Sequence, residues 1–434
     1  MTNRKYRKER RSCKGDFESE YSVIDYVRPY HFDEVIGMEK YAVFLTPQKI
    51  MYGREAFQQI GKEAAAAHAK KALIITDSIM TKLGYVEQCG QLLSTEGVEH
   101  AVYQGVASEP TDQYVAEALE LLRSEACDVV ISLGGGSCID TAKAIVVLES
   151  NGGYIGDYMG GKQACKPASI PHIAIPTTAG TGSEATDVTI ITNTATDVKM
   201  MIKHPAFMPT IAIVDPYLTC SAPPPVIAAT GVDALCHAVE AFLSRKAHPM
   251  THTLARSAIT HITSSLQRSY DDPHDLDAKE GMCIGSLQAG MAFSNASVTL
   301  VHGMSRPIGA LFHVPHGNSN AMLLPAVLEF SKESCLDQLA ELLPLFLPEM
   351  QTNRLSVEAK ADRTIQQVKE LCRYLQIPNL RDWGIPEELF RASLDKMAHD
   401  ALASGSPGNN PRVPSKEEIV ELYLTCYDYA HSLS

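Results

Sequence analysis

The 434-residue chain has no excess of positive charge: 38 Lys and Arg stand against 51 Asp and Glu, for a formal net charge of −13. That balance repels nucleic acid and anionic membrane surfaces, and no segment resembles a basic reading helix, so neither partner is expected. The 11 cysteines show no C-x-x-C and no paired spacing. At this length they read as reduced thiols in a cytoplasmic protein rather than as a disulfide framework. No apolar run approaches the roughly 20 residues of a membrane span. Internal repeats and low-complexity segments are also missing. Hydrophobic residues make up 45% and charged residues 21%, an ordinary composition for a soluble protein long enough for two cores.

The chain divides coarsely in three. Residues 1–38 begin MTNRKYRKERRSCKG, a basic segment without the apolar centre of a secretory signal. An Arg-rich start suits a mitochondrial presequence, but Ser is scarce and acidic residues follow soon, so a solvated, disordered extension is expected. The MEKYAVF segment from Met38 reads as an ordinary start, which makes residues 1–37 a candidate translation-start artefact. Over residues 39–222, short apolar runs (ALIIT, HAVYQGV, DVVISL, HIAIP, TIAIVD) alternate with longer helical patterns such as Asp112 to Ser124. Such alternation predicts a parallel α/β sheet. Residues 223–434 read as almost entirely helical, and Pro223-Pro224-Pro225 reads as a hinge between the two parts.

Chemistry is suggested first by Asp233 and His237 in GVDALCHAVEAF, four apart on a predicted helix and so on one face. His302 and His316 lie in VHGMSRPIGALFHVPHG, where Pro307, Gly309, Pro315 and Gly317 allow the backbone to fold back toward the first pair. One carboxylate and three neutral imidazoles suit Fe2+ or Zn2+ and leave an open coordination position. A D-x-x-x-H spacing alone arises by chance on apolar helices, so a second motif is needed. Cys236, within the same segment, reads as a buried apolar residue facing away from the ligands.

That second motif is DVVISLGGGSCIDTAKAIVVL, residues 128–148. A buried strand runs into Gly134-Gly135-Gly136-Ser137 and then into a helix from Cys138 to Leu148. Glycines at a strand-to-helix turn let backbone N–H groups approach a phosphate, and the helix N-terminus adds positive potential. The bland alternative is a tight βα loop. Ser137 can cap the helix or donate to an oxygen. A third motif, Ile175-Pro176-Thr177-Thr178-Ala179-Gly180-Thr181-Gly182-Ser183-Glu184, offers small hydroxyl donors after another apolar run.

GGGSCIDTAKAI, IPTTAGTGSE, ATGVDALCHAVEAF and VHGMSRPIGALFHVPHGNSNAMLLP, in this order and spacing, resemble the iron-dependent (group III) alcohol dehydrogenases. The likeness runs from about Tyr41 to NNPRVPSKEEIVELY near the C-terminus. It implies a Rossmann-like NAD-binding domain, a helical metal-binding domain and an active site in the cleft between them. It further implies Asp233, His237, His302 and His316 as metal ligands. Gly135, Gly136, Ser137 and Asp140 would line the pyrophosphate site, with Thr177, Thr178, Thr181 and Lys199 contacting the cofactor. Asp77, after the ALIIT strand, matches an acidic position that holds the adenosine ribose, and a carboxylate there accepts from ribose hydroxyls but repels a 2′-phosphate. NAD is then favoured over NADP; the same residue also suits a helix N-cap before Ile79-Met80. The implied activity is reversible hydride transfer between NAD and a small alcohol or aldehyde, with Fe2+ as the usual metal, Zn2+ as an alternative, and a homodimer or larger homo-oligomer as the assembly. A hydroxyacid-oxoacid transhydrogenase of the same fold would instead retain its nicotinamide, and a dehydroquinate synthase-like lyase would regenerate its cofactor in each turnover. The Asp-with-three-His set fits the lyase poorly.

One position departs from the family pattern. Where relatives carry H-x-x-x-H-P, this chain has His302-Gly303-Met304-Ser305-Arg306-Pro307. Arg306 cannot relay protons near neutral pH. Helical spacing sets it beside a ligand, where a guanidinium suits an anionic group on the substrate, or else pairs with a neighbouring acid or the cofactor phosphates.

Overall fold

The computed structural model describes residues 41–196, 198–350 and 352–430, and the expectations for residues 1–38 lie outside them. From Ala42 onward the chain packs as one compact unit. Eight strands occur among the described residues: β1 (Lys49–Tyr52), β2 (Lys71–Ile75), β3 (Glu99–Tyr103), β4 (Val129–Gly134), β5 (His172–Pro176), β6 (Val188–Asn193), β7 (Val198–Lys203) and β8 (Ile211–Val214). Six form a parallel sheet in the order β1-β8-β5-β4-β2-β3. The central strand β4 is buried at every position, as a strand covered by helices on both faces must be. The covering helices are α1 (Ile60–Ala66), α2 (Ser78–Lys82), α3 (Tyr85–Thr95), α4 (Asp112–Ser124) and α5 (Gly136–Asn151). In α4, Thr111 caps the N-terminus through Tyr114 N–H at 3.2 Å, and Val115, Ala118, Leu119 and Leu122 form the buried stripe.

Chain order and spatial order together locate a binding crevice. From β2 the chain moves outward to β3, then returns past β2 to β4, β5 and β8. The winding direction therefore reverses between β2 and β4, and open α/β sheets bind ligands at the C-terminal ends of the strands flanking such a reversal. Asp77 follows β2 and Gly134–Ser137 follow β4, so both expected cofactor segments sit at that point.

The antiparallel pair β6–β7 was not foreseen in the strand pattern. Each strand keeps one face half-exposed, so its apolar content stays below that of the buried strands. After β8 the chain is helical: α6 (Pro224–Leu243), α7 (Pro249–Asp271), α8 (Leu276–Ala296), α9 (Leu300–Phe312), α10 (His316–Ser331), α11 (Leu336–Phe346), α12 (Val357–Tyr374), α13 (Glu387–Ala403) and α14 (Lys416–Tyr427). The proline run does not act as a break. Pro224 and Pro225 occupy the first turn of α6, where the missing N–H has no intrahelical role and the fixed φ favours initiation. Helix α6 also corrects the reading that no run is long enough for a membrane: over 20 residues its best window reaches a mean hydropathy of 1.5, yet 89% of that window is buried inside the fold. Its apolar surface is covered by α7, α8 and α10, which makes it the core helix of this half.

Apolar side chains gather on both faces of the sheet and in a third, larger core among the helices. A smaller cluster, Ala185 and Val214 against Cys283 and Leu287, ties the sheet half to α8.

Candidate active site

A cavity of about 340 Å³ opens between the sheet half and the helical half, within the size range of small-molecule sites. Gly135, Gly136, Ser137, Thr178 and Thr181 line it from the sheet side. His237, His302, Arg306 and His316 line it from the helices.

The sheet wall follows from strand register. Gly134 of β4 pairs with Pro176 of β5, so the glycine turn and the threonine-rich loop leave adjacent strands side by side. A Cβ on Gly136 would come within 2.9 Å of Thr181 Cγ2, so only glycine lets the loops close this tightly. Helix α5 begins at Gly136 with Gly135 as its N-cap, and no side chain caps it. Ser137 is therefore inside the first turn rather than the cap, and the uncapped N-terminus borders the cavity, as an anion site requires. Asp140 also lines the cavity, but its carboxylate is engaged elsewhere. It accepts from Ser183 Oγ at 2.5 Å and Ile190 N–H at 2.9 Å, and it lies 3.6 Å from Lys143 Nζ.

Lys143, which the sequence reading passed over, is 1% exposed and donates to Ser183 Oγ, Thr186 Oγ1 and the Val188 carbonyl at 2.7–2.9 Å. Burial lowers its pKa while Asp140, Asp187 and Glu184 oppose that shift. Its three hydrogen bonds fasten α5 to the loops beneath the turn.

Other expected cofactor residues are placed less simply. Lys199 lines the cavity and pairs with Glu109 at 2.5 Å. Thr177 is buried, gives its N–H to the Gly134 carbonyl at 3.0 Å, and is not part of the lining. Asp77 is an N-cap in fact: one oxygen, Oδ1, accepts from Ile79 N–H at 2.7 Å and Met80 N–H at 3.0 Å. Its Oδ2 points to Gly134 and Cys138, so the second oxygen stays beside the glycine turn.

The helical wall brings Asp233, His237, His302 and His316 together, with one ligand atom from each within 4.8 Å of all the others. Asp233 and His237 project from one face of α6, His302 from the first turn of α9, and His316 opens α10. Asp233 Oδ1 lies 3.9 Å from His237 Nε2 and 3.8 Å from His302 Nε2. The surroundings fix the imidazoles. His237 Nδ1 donates to the Gly180 carbonyl at 3.3 Å, which links the threonine loop to the cluster, and its ring stacks on Phe293 at 4.2 Å. His302 Nδ1 donates to Glu240 Oε2 at 2.5 Å. Both rings are thereby left with Nε2 as the lone-pair nitrogen. Burial pushes the His302 imidazole well below its ordinary pKa and takes His316 to about 3, so both are neutral acceptors at physiological pH.

Glu240 and Asn320 are the residues sequence reasoning missed here. Glu240 is 2% exposed; besides His302 it accepts from Thr299 Oγ1 and Val301 N–H, each at 2.7 Å. Burial raises its pKa, and the Thr299 and Val301 donors oppose that shift. The Asn320 amide nitrogen lies 2.6 Å from Asp233 Oδ1, 3.0 Å from His302 Nε2 and 3.2 Å from His316 Nε2, while its own Oδ1 is buried without a partner. Three acceptors thus converge on one amide nitrogen with two protons, an arrangement that a cation satisfies more fully. Cys236 is buried as expected but does not face away: its Sγ is 3.9 Å from His302 Nδ1, and burial raises its pKa well above the ordinary thiol value, so it is a neutral neighbour.

Arg306 sits one turn beyond His302 on α9 and is 9% exposed. It donates from Nη1 to Ser406 Oγ at 3.0 Å, and its Nε has no partner. Burial lowers its pKa to about 10, so it remains charged.

Residues 47–216 match the family profile described as iron-containing alcohol dehydrogenase, and residues 227–427 match the Fe-containing alcohol dehydrogenase family, C-terminal. The chain is 36% identical over 387 residues to 1,3-propanediol dehydrogenase of Citrobacter freundii, spanning 88% of this chain and 98% of that protein. It is 34% identical over 380 residues to NAD-dependent methanol dehydrogenase of Bacillus methanolicus, spanning 87% of this chain and 98% of that one. A solved structure of 1,3-propanediol oxidoreductase superimposes with a TM-score of 0.85 at 34% identity, covering 89% of this chain and all of the other.

Proposed function

Because the chain belongs to the iron-containing alcohol dehydrogenase family of oxidoreductases, we propose that it interconverts a small alcohol and its aldehyde with NAD+ and NADH. The observation that carries this reading is the shared cavity, where an uncapped helix N-terminus at the sheet's reversal point meets the Asp233, His237, His302 and His316 cluster. Those four residues would hold the metal, iron being the family's, and zinc suits the same donors. When bound, the ion supplies Lewis acidity and the nicotinamide supplies the hydride acceptor.

The chain's own groups do the positioning. The N-terminus of α5 holds the cofactor's pyrophosphate, and Thr178 and Thr181 offer hydroxyls beside it. Glu240 and the Gly180 carbonyl hold two imidazoles in the ligating tautomer. Asp233, His237 and His302 are only 1–4% exposed, so solvent is largely excluded where charge develops. A cytoplasmic homo-oligomer belongs to the same reading. The ten described cysteines are all free thiols. β1 is an edge strand with Tyr52 62% exposed, a surface suited to a second copy.

The test is net NADH formation. Chain reconstituted with Fe2+ should produce NADH from short primary alcohols, lose this with a chelator and regain it with Fe2+. Failure to form NADH from any alcohol, with a retained nicotinamide instead, would point to the transhydrogenase.

Cofactor choice can be probed at Asp77 without removing its cap. Asp77→Ser keeps a side-chain acceptor for the start of α2 but removes the charge that opposes a 2′-phosphate. The NADP+ to NAD+ ratio of kcat/KM is expected to rise about tenfold, roughly 1.4 kcal/mol for a lost charge contact. An unchanged ratio would leave Asp77 as a helix cap only.

A further inference from the structure

We propose that the cleft takes a short aldehyde or alcohol bearing an anionic group (carboxylate, sulfonate or phosphonate), with Arg306 as the receptor for that group. The inference rests on the dehydrogenase reading and names its substrate class.

Arg306 is a buried cation without a counter-ion. Among the described residues, no carboxylate lies within 4.0 Å of its guanidinium, and its one hydrogen bond goes to a neutral hydroxyl, Ser406 Oγ. The acid that acts on it electrostatically is Glu240, whose oxygens are already taken by Thr299, Val301 and His302. The other cavity charges are matched. Lys199 pairs with Glu109, Lys203 pairs with Asp187, and Asp140 is tied to Ser183, Ile190 and Lys143. A guanidinium carries five donors in a fixed fork, and burying one uncompensated is costly unless an anion completes it.

The site around this guanidinium is built. A Cβ on Gly303 would meet Pro407 at 2.7 Å, so glycine allows the 405–410 segment to pack onto α9 and place Ser406 beside Arg306. Ser297, on the same cavity wall, is held by Asn409 Nδ2 at 3.0 Å and has φ 69° and ψ 154°, a conformation that side-chain-bearing residues rarely adopt. Two hydroxyls, those of Ser297 and Ser406, and the Arg306 guanidinium thus line the same cavity as His237, His302 and His316. Since Arg306 is one helical turn from His302, only a short chain fits between the reacting carbon and the anionic group.

The experiment compares kcat/KM for succinic semialdehyde, sulfoacetaldehyde and phosphonoacetaldehyde with that for propanal and butanal, using Fe2+-loaded enzyme and NADH. The wild type is expected to favour at least one anionic aldehyde by ten- to a hundredfold, and Arg306→Met to lose that preference mainly through KM for the charged aldehyde. If Arg306→Met does not fold, Ser406→Ala carries the test and should lower the preference severalfold. A preference for neutral aldehydes in the wild type, or an anionic preference that survives Arg306→Met, overturns the inference. So does a variant whose change falls on the KM for NADH, which would assign Arg306 to cofactor phosphate. Should no aldehyde turn over, the dehydrogenase reading fails, and thermal shift still decides the anion site. Succinate, and not neutral succinamide, should raise the Tm of the wild type but not of Arg306→Met; equal shifts would end the proposal.

Discussion

Asp233→Asn is expected to abolish tight metal binding and, with it, nearly all turnover. The substitution keeps volume and hydrogen-bonding capacity but removes the one carboxylate among the four clustered residues. Binding free energies of about 10–16 kcal/mol for a four-ligand site give roughly 2.5–4 kcal/mol per ligand, or two to three orders of magnitude in affinity. Alanine is a poorer choice at this site. Asp233 is 1% exposed and His302 3%, so the ligands form a buried cleft floor rather than an open surface. His302→Ala would also strand Glu240 as a buried, partly unpaired carboxylate, confounding lost metal with lost stability. Metal content and turnover of the folded Asp233→Asn protein check the expectation; wild-type values of both would remove Asp233 from the site.

Glu240→Gln should weaken metal binding by ten- to a hundredfold, the usual cost of losing a carboxylate behind a ligating imidazole. Gln can still accept from Thr299 and Val301, but the group facing His302 Nδ1 changes from an obligate acceptor to an amide. The ring then loses the partner that kept its proton on Nδ1 and its lone pair on Nε2. A positioning role predicts that saturating Fe2+ restores most of kcat while the affinity for NAD+ stays unchanged. Chelator competition measures the first quantity and cofactor titration the second. Wild-type metal affinity in the variant would show that Glu240 serves packing alone.

The contrast between Asp233 and Glu240 shows what the chain disclosed before folding. Asp233 and His237 were legible because helical periodicity alone puts i and i+4 on one face. Glu240 is on the same helix, three residues past His237, yet its role depends on where α9 crosses α6, which no local pattern encodes. Cys236 was misread for the same reason: burial was evident, but the neighbour behind it was not. The parallel strands were readable as buried apolar runs, whereas β6 and β7, half-exposed and antiparallel, were overlooked. Pro223 to Pro225 were read by what proline forbids in a helix interior, although at the first turn the same ring favours initiation. Asp77 fits two roles from sequence, and its geometry shows one oxygen capping α2 and the other still beside the glycine turn.

Anaerobic titration of metal-stripped protein with Fe2+, with bound iron and NADH-forming turnover measured on the same samples, bears most directly on the union of cofactor loop and Asp-His cluster in one redox centre. Turnover should rise in proportion to bound iron and saturate at about one ion per chain, the stoichiometry of a four-ligand mononuclear site, while the Asp233→Asn protein should need roughly 100- to 1,000-fold more free Fe2+ for the same occupancy. Full turnover in the stripped protein, or iron bound equally well by Asp233→Asn, would contradict it.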